Sequence, residues 1–532
     1  MYSSYSSLQQ SQLAAQGYYD TQSTYLLVYA PGRNTALRAT LADQLHRKFR
    51  LADTLGSALT EGVDGVLLVS EDVECMSTAL MCFAKALQDG ADYAVCNAVF
   101  GFGGATALYQ SRAHLAQNRC ALVSRPLLER CRAAAKDPEN VTELLALAAQ
   151  FCAHPARIPQ ALLHYERDIC AEDAFSATGK RAFLMSHVLD MTGAPIVLVS
   201  AVPVLRSMGY EVVVLGPEDG GSMPLFLEAG ATVITRKGCV QSPLLWGLAL
   251  CADLVLANTV VEARAVRALS GARVPVLWWL HDAFAGYPHI AHQIPRELGE
   301  NIRLYSVGSH AANAMHSVRP EFNIRPLIYG LPDYAAEKFS HYDLSYAGGR
   351  PLFATVGSFE NRKGQDIFCK AIRLLPPETM KKASFLFVGK AAEAEMMDAV
   401  RSLTADCPDN VFYVKRLTRD EIKSLMAQCT CLVCASRDDP MPTFVTEGLI
   451  FGKPAIVSEH TGTAGLITEG VDGFVYEDDD PEKLAERLAW AIEHPEKLAA
   501  MRPACRELYE SHYSKQAFSD SLQQAVKELT GE

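Results

Sequence analysis

Short apolar segments alternate with longer amphipathic segments along most of this chain. Apolar runs at 182–186, 254–258, 384–388 and 431–435 are each followed by a loop and then by a segment with helical spacing. Apolar runs of about five residues are typical of strands that are buried on both faces of a parallel sheet. The alternation therefore predicts an α/β fold with doubly wound, Rossmann-like domains.

Length and composition limit the classes of protein to which the chain can belong. The 532 residues correspond to about three domains of ~150 residues each. A hydrophobic content of 49% allows large buried cores, and a net charge of -12 argues against nucleic acid as a partner. No apolar run approaches the ~20 residues that span a bilayer, and residues 1–24 lack the order of a secretion signal. We interpret residues 1–24 as a partly ordered leader and expect a cytoplasmic protein, with peripheral association at the inner membrane face left open.

The fifteen cysteines are scattered and mostly lie in apolar segments, such as those around Cys251 and Cys369. This distribution favours reduced thiols over a disulfide framework. Cys429, Cys431 and Cys434 are close enough in sequence to suggest a metal site. Because they lie in a predicted strand, we interpret them as small buried apolar residues and predict no metal site there.

Two acidic residues follow the apolar run 431–435. Asp439 and Glu447 flank seven residues, the first on a loop beyond the strand and the second in a helix that opens near Thr443. The amides at a helix N-terminus attract anions. Two carboxylates beside them can hold hydroxyl groups of a sugar and a ribose. An ordinary strand–loop–helix is the alternative, and the further motifs below favour the functional interpretation.

A second loop combines glycine with two cations. Gly357 begins the turn after a predicted strand, and Arg362 and Lys363 lie directly before the following helix. Cations next to helix amides suit a diphosphate group. Three more positions are candidates: Gly193 at a helix start, His281 after the apolar run 276–280, and Gly462 in a later loop. His281 could instead cap its strand, but we favour contact with a ligand.

Taken together, the motifs between residues 182 and 530 resemble retaining GT-B glycosyltransferases, most closely family four (group 1). The resemblance implies two Rossmann-like domains facing a cleft, with a hinge between them. It implies transfer of a sugar from a nucleotide-diphosphate donor with retention of configuration, and no essential metal or other cofactor. This sequence departs from the family at Asp439, where glutamate is usual, and at Ser358, where arginine is frequent.

The resemblance also implies a role for each candidate residue. Lys363 and Arg362 would stabilise the leaving diphosphate, and Glu447 would hold the ribose hydroxyls. Asp439 would hold the donor sugar, and His281 would contact that sugar from the opposite domain. The glycines would bring their backbone close to the donor: Gly193, Gly357 and Gly462.

The N-terminal part resembles a GT-A glycosyltransferase domain of family two. That family ends a strand with Asp-x-Asp, whose carboxylates hold a divalent metal; the matching positions here are Ser70, Glu71 and Asp72. Because one carboxylate is replaced, we favour a degenerate domain over an active, metal-dependent one. The predicted division is a leader, a GT-A-like domain, two GT-B domains and a terminal helix that crosses back to the first GT-B domain: 1–24, 25–165, 166–335, 350–515 and 516–532.

The expected function is a retaining hexosyltransferase of class EC 2.4 in cell-surface polysaccharide or glycoconjugate synthesis. Its acceptor would be a glycan, a lipid-linked sugar or a protein, and a homo-oligomer stays open. Two alternatives remain. One is a non-catalytic, glycosyltransferase-like partner subunit, and the other is a two-headed transferase with an active GT-A-like domain.

Overall fold

The computed structural model describes residues 21–32, 34–56, 59, 62–101, 106–109, 119–175, 179–477 and 479–532. They divide into two compact units. The first contains the residues up to Ala257 together with Ala272–Pro275, and the second contains Asn258–Gly271 and Val276–Glu532. The domain limits expected from the sequence differ from this division and remain a prediction. Most of the expected leader, residues 1–24, lies outside the described residues.

The first unit contains one mixed sheet. Its strands are β1 Leu26–Tyr29, β2 Phe49–Ala52, β3 Gly65–Val69, β4 Glu74–Cys75, β5 Tyr93–Phe100, β6 Thr106–Tyr109, β7 Cys120–Ser124, β8 Pro155–Tyr165, β9 Lys180–Ser186, β10 Tyr210–Gly216, β11 Thr232–Thr235 and β12 Leu254–Asn258. The order is β12-β9-β10-β11-β6-β5-β7-β3-β1-β2, and β8 pairs with β4 and β5. Since β6 pairs antiparallel with β11, the GT-A-like segment and the segment after it share this sheet.

Helices and loops connect these strands. The helices of the first unit are Thr35–Leu41, Ala79–Gln88, Arg125–Ala134, Val141–Phe151, Ala171–Ala174, Gly193–Ser207, Met223–Ala229 and Pro243–Ala249. The sequence predicts a helix over 34–49, which is too long. The helix ends at Leu41, and the following segment is held instead by Gln44, whose buried side-chain amide donates to the Met76 carbonyl at 2.8 Å and accepts from the Leu80 amide at 3.0 Å.

The second unit contains two sets of parallel strands. The first set has the order β15-β14-β13, with β13 Val276–Leu280, β14 Ile302–Ser306 and β15 Ile324–Pro326. The second set has the order β18-β17-β16-β19-β20-β21, with β16 Leu352–Val356, β17 Ser384–Val388, β18 Val411–Val414, β19 Cys431–Cys434, β20 Ala455–Ser458 and β21 Gly473–Tyr476. The strand numbers decrease from β18 to β16 and then increase from β19 to β21, so the order reverses between β16 and β19. This is the Rossmann order, in which ligands bind beyond the carboxyl ends of the strands at the reversal.

The helices of the second unit are Ala263–Leu269, Tyr287–Ile290, Ser309–His316, Gln365–Leu374, Pro377–Met380, Ala394–Asp406, Arg419–Gln428, Thr443–Ile450, Pro481–Glu493, Pro495–Ala500, Arg502–Leu508 and Lys515–Thr530. The last helix packs on β13, where the ring of Phe518 stacks on Trp279 with 5.6 Å between ring centroids. The Leu331 amide also donates to the Tyr513 carbonyl at 2.8 Å, next to the start of this helix.

Two properties of the described residues bear on the expected class of protein. The fifteen cysteines are free thiols and most are buried, but Cys251 is exposed at the end of a helix rather than in the core. Burial raises the pKa of Cys431 and Cys434, the latter to about 11, as expected for structural thiols. Among the helices that the structure describes, none has the length and apolar character needed to cross a membrane.

Candidate functional site

Two loops meet at the reversal point of the second unit, one after β16 and one after β19. Gly364 has a φ of +64°, and a Cβ placed on it would lie 1.8 Å from the Ala435 carbonyl oxygen. Only glycine therefore fits at this contact. The Arg437 amide donates to the Arg362 carbonyl at 2.8 Å, and the Arg437 guanidinium makes two hydrogen bonds of 2.8 Å to Asp366. The two loops are thus joined through both backbone and side chains.

This contact places Lys363 against Asp439. The Lys363 Nζ lies 2.5 Å from Asp439 Oδ2, and the side chains are 19% and 6% exposed. The Asp439 main chain is held from the opposite side, since its amide donates to His460 O at 3.1 Å and its carbonyl accepts from Gly462 N at 2.9 Å. A Cβ on Gly462 would lie 1.7 Å from the Pro440 carbonyl oxygen, so the backbone passes close to the acidic loop there.

Glu447 lies in the helix Thr443–Ile450 and is also buried. Burial raises the pKa of Glu447, and the Arg419 guanidinium opposes this shift through an ion pair with its carboxylate. Arg419 also donates to the Tyr334 hydroxyl at 3.3 Å. Sequence analysis did not identify Arg419. The available signal is the capping box of Thr418 and Glu421, which predicts that Arg419 begins a helix at the loop after β18.

Tyr329 lies next to the loop that carries Asp439 and to the helix that carries Glu447. Its hydroxyl lies 3.3 Å from the Thr443 hydroxyl at the start of the helix that carries Glu447. Burial raises the pKa of Tyr329, and the negative charges of Asp439 and Glu447 raise it further. The same hydroxyl lies 3.5 Å from the Met441 carbonyl oxygen, so it is close both to the loop that carries Asp439 and to the helix that carries Glu447.

Asp438 precedes Asp439 and faces a different set of groups. Its carboxylate accepts hydrogen bonds from the amides of Phe284 and Ala285, each at 3.1 Å, and from His310 Nε2 at 2.7 Å. Burial raises the pKa of Asp438, but these hydrogen bonds outweigh burial and hold the pKa below its ordinary value of 3.8. The sequence singles out the loop at 309–313 only weakly and contains no sign of this pairing.

Three further candidate residues from the sequence, Arg362, Gly357 and Gly193, lie at different positions in the fold. Arg362 is 40% exposed, pairs with Glu360 at 3.0 Å and donates to the Asp438 carbonyl at 3.3 Å. Gly357 starts the turn after β16 with a φ of +157°, and its carbonyl oxygen would lie 1.7 Å from a Cβ on Gly389. Gly193 lies in the first unit, where it begins the helix Gly193–Ser207.

His281 is half-buried at the carboxyl end of β13 and packs against the Trp279 ring, with 4.6 Å between ring centroids. The neighbouring Asp282 accepts a hydrogen bond from the Val260 amide at 2.6 Å. Burial raises the pKa of Asp282 to about 6.

Glu262 is a second buried carboxyl near the end of β12. It is 1% exposed, and none of the described residues hydrogen-bonds to its Oε2. Burial raises its pKa to about 8. Three residues earlier, Thr259 has a φ of +81°, which is costly for a β-branched residue. Sequence analysis did not identify Glu262, which occurs in an otherwise ordinary helical pattern.

The acidic residues of the GT-A-like segment have structural partners. Asp72 accepts hydrogen bonds from the amides of Thr35, Ala36 and Leu37 at 3.0 to 3.1 Å and so caps a helix. Burial raises the pKa of Asp72, but these bonds outweigh it and lower the pKa. Glu71 pairs with Arg167 at 2.7 Å. Within the described ranges, no group of three or more His, Cys, Asp and Glu side chains is placed to hold a metal ion.

Two protein-family models match the chain. Residues 178–314 match the model described as glycosyl-transferase family 4, and residues 338–508 match glycosyl transferases group 1. The second match contains both loops at the reversal point, with Lys363, Asp439 and Glu447.

Curated relatives match shorter parts. An uncharacterized glycosyltransferase of Methanocaldococcus jannaschii is 26% identical over 144 residues, which are 26% of this chain and 38% of the relative. A glycogen synthase of Pseudomonas syringae pv. syringae is 26% identical over 201 residues, 37% of this chain and 39% of the synthase. Spore coat protein SA of Bacillus subtilis is 24% identical over 184 residues, 33% of this chain and 48% of its own. The chain thus spans less than half the length of these relatives.

Solved structures share the fold over a longer part. Anabaena HepE in complex with UDP is similar with a TM-score of 0.53 and 19% identity, covering 66% of this chain and 100% of HepE. Sucrose-phosphate synthase of Thermosynechococcus elongatus has a TM-score of 0.52 and 15% identity, covering 66% of this chain and 99% of the synthase. These neighbours support the expected GT-B type of fold, whereas the GT-A-like assignment of residues 25–165 stays a prediction.

The family matches, the Rossmann strand order and the shared fold agree with one another. Residues 178–314 therefore contain a domain that matches glycosyltransferase family 4, and residues 338–508 contain one that matches the group 1 glycosyl transferases.

Proposed function

We propose that this chain is a retaining glycosyltransferase that moves a sugar from a nucleotide-diphosphate donor to a glycan, lipid-linked or protein acceptor. The observation that carries the proposal is the Lys363–Asp439 contact at the reversal point of a Rossmann sheet. A cation and a carboxylate held side by side suit a ligand with both phosphate and sugar hydroxyl groups. HepE has been solved with UDP and with UDP-glucose, so a uridine diphosphate donor is the first to test.

The proposed roles follow from the charges at the site. Negative charge develops on the diphosphate as the sugar leaves, and Lys363 stabilises that charge together with Arg362. The Asp439 carboxylate then accepts a hydrogen bond from a sugar hydroxyl. Because Lys363 already contacts Asp439, one side chain can position both parts of the donor.

Glu447 is proposed to hold the ribose hydroxyls. Arg419 favours the ionised, hydrogen-bond-accepting form of this carboxylate, which burial alone would disfavour. His281 is proposed to contact the donor sugar, and the backbone at Gly193, Gly357 and Gly462 is proposed to approach the donor. No resident metal has a role in this proposal, and residues 25–165 serve packing or acceptor binding.

The first experiment measures binding and turnover by the purified full chain. Calorimetry with UDP should show saturable binding, and UDP-glucose should be hydrolysed slowly or transferred when acceptor glycans are added. Proton NMR of the product should show the anomeric configuration of the donor. Binding without hydrolysis or transfer would support a non-catalytic partner subunit instead. A thermal-shift screen of uridine, guanosine and adenosine diphosphate sugars without any response would refute the donor site.

Cytoplasmic polysaccharide or glycoconjugate synthesis is the proposed setting, since such donors are made from nucleoside triphosphates inside the cell. Cell fractionation would test peripheral attachment to a membrane, and light scattering would test self-association.

A further inference from the structure

Asp438 connects segments that are far apart in the sequence. Its carboxylate contacts His310 and the turn at Phe284, and its main chain contacts Arg362. The next residue is Asp439, which contacts Lys363. Asp438 therefore links the segments after β13 and β14 to both loops of the proposed donor site, through its side chain and its main chain together.

We propose that His310 is a positioning residue that acts through Asp438 to fix the orientation of Asp439 and Lys363. His310 is buried, and its Nε2 lies 2.7 Å from Asp438 Oδ1. The Phe284 ring packs edge-on against the imidazole at 5.0 Å between centroids, which limits its rotation. Because His310, the hydrogen-bond donor, and the Asp438 carboxylate are both held in place, the Asp438 backbone has little freedom. Asp439 is the next residue in the chain, so its orientation is restricted as well.

The surroundings of the pair support a geometric role. Gly308 lies close to Gly462, since a Cβ on Gly308 would be 3.2 Å from the Gly462 carbonyl oxygen. Gly462 in turn donates its amide to the Asp439 carbonyl. The segment that carries His310 thus contacts the acidic loop on both sides of Asp439, through Asp438 and through Gly462.

The loop that carries Arg362 and Lys363, which is proposed to bind the diphosphate, is held by separate contacts. Arg437 binds Asp366 with two hydrogen bonds, and Gly364 packs against the Ala435 carbonyl. Loss of the His310 hydrogen bond should therefore disturb the orientation of Asp439 more than the binding of the diphosphate. Because Asp439 contacts the donor sugar only under the proposed function, the kinetic consequence rests on that function, whereas the order of the loop does not.

Three variants test the role. His310→Ala removes the donor, His310→Gln keeps an N–H group that can reach Asp438, and His316→Ala is the matched control. His316 lies on the same helix, and its Nε2 donates a hydrogen bond to the Phe322 carbonyl at 2.9 Å.

Hydrogen exchange provides a readout that does not need a substrate. In His310→Ala the amides of residues 436–439 and of Met441 should exchange roughly tenfold faster or more, because a hydrogen bond to a charged group is lost. In His310→Gln and His316→Ala they should exchange as in the unchanged protein. Equal exchange in His310→Ala and His316→Ala would overturn the proposal.

Kinetics with UDP-glucose provide the second readout. His310→Ala should lower kcat roughly 10- to 100-fold with less than about a threefold change in KM, as for a misplaced catalytic group. His310→Gln should recover kcat to within about threefold. A His310→Gln variant as impaired as His310→Ala would refute the positioning role. If the unchanged chain neither binds UDP nor hydrolyses UDP-glucose, the proposed function fails, and the exchange rates still decide whether His310 orders the loop.

Discussion

The Lys363 ammonium group lies 2.5 Å from the Asp439 carboxylate, although 76 residues separate the two in the chain. Both side chains are largely removed from solvent. The fold brings them together because β16 and β19 are neighbours in the sheet, so that the loops after these strands leave the same edge side by side.

Replacing Lys363 with alanine should lower kcat with UDP-glucose on the order of 100- to 1,000-fold, because a charge that stabilises the leaving diphosphate is lost. The fold should persist, with a lower melting temperature, since Asp439 is left buried without its cation. Lys370→Ala is the control, because Lys370 is 63% exposed and pairs with Asp366 within its own helix, Gln365–Leu374. Similar kcat values for both variants would contradict the assignment of Lys363.

Replacing Glu447 with alanine should abolish the preference for a nucleotide that has both ribose hydroxyl groups. The unchanged protein should bind UDP roughly tenfold or more tightly than its 2′- or 3′-deoxy analogue, because a buried carboxylate that loses its hydroxyl partner is left unpaired. In Glu447→Ala both nucleotides should bind equally weakly, as measured by calorimetry. The exposed Glu486 on another helix offers a control through Glu486→Gln. If Glu447→Ala kept the preference for UDP, another residue would have to contact the ribose.

Glu262 should make the stability of the second unit depend on pH. Its pKa in the folded chain, about 8, is above the ordinary value of 4.5, so the folded state holds the proton more tightly. The contribution is fully present below pH 4.5 and is lost as the pH rises to about 8. The unfolding free energy should thus decrease between these values by up to ~1.4 kcal/mol per pH unit.

Glu262→Gln should flatten this dependence and give a higher melting temperature than the unchanged chain at pH 8.5. Calorimetric melting at pH 5 and pH 8.5 measures the difference. Glu300→Gln, at an exposed position of the same unit, should leave the dependence intact. An unaltered pH dependence in Glu262→Gln would show that this carboxyl is already ionised at neutral pH.

Asp72→Ala should leave UDP-glucose hydrolysis within about twofold, and EDTA should not inhibit it, because the proposed chemistry uses no metal. The same change should lower stability by ~1–2 kcal/mol, as expected for a lost helix cap. Since the pKa of Asp72 is lowered in the folded state, its contribution should fade as the pH falls below about 4. Asp43→Ala, at an exposed position just after the same helix, is the control. Loss of hydrolysis in Asp72→Ala would instead favour a two-headed transferase in which residues 25–165 are active.

Much of the second unit follows directly from the sequence. The apolar runs at 384–388 and 411–414 coincide with β17 and β18. β17 is buried throughout, as expected for an apolar strand inside a parallel sheet, whereas the edge strand β18 is mostly half-buried. The proximity of Lys363 and Asp439 is also expected from the sequence, since both follow strands of one parallel sheet. In contrast, the antiparallel pairing of β6 with β11 joins residues that are far apart in the sequence, such as Leu108 and Ile234, and no local pattern predicts it.

Side-chain partners across the site were not predictable in this way. Arg419 faces Glu447, and His310 faces Asp438, only because separate loops fold onto each other. Each of these two side chains, Arg419 and His310, occupies an ordinary position in its own helix. Local periodicity describes which face of an element is buried, whereas such pairs depend on the relative placement of whole elements.

The tight contact between Gly364 and the Ala435 carbonyl has a consequence for redesign of donor preference. Since not even a methyl group fits there, the two segments assigned to the proposed donor site should not be exchanged one at a time with those of a relative. A chimaera should transplant residues 357–364 and 435–442 as one cassette, and a library that varies either segment alone should yield mostly misfolded clones.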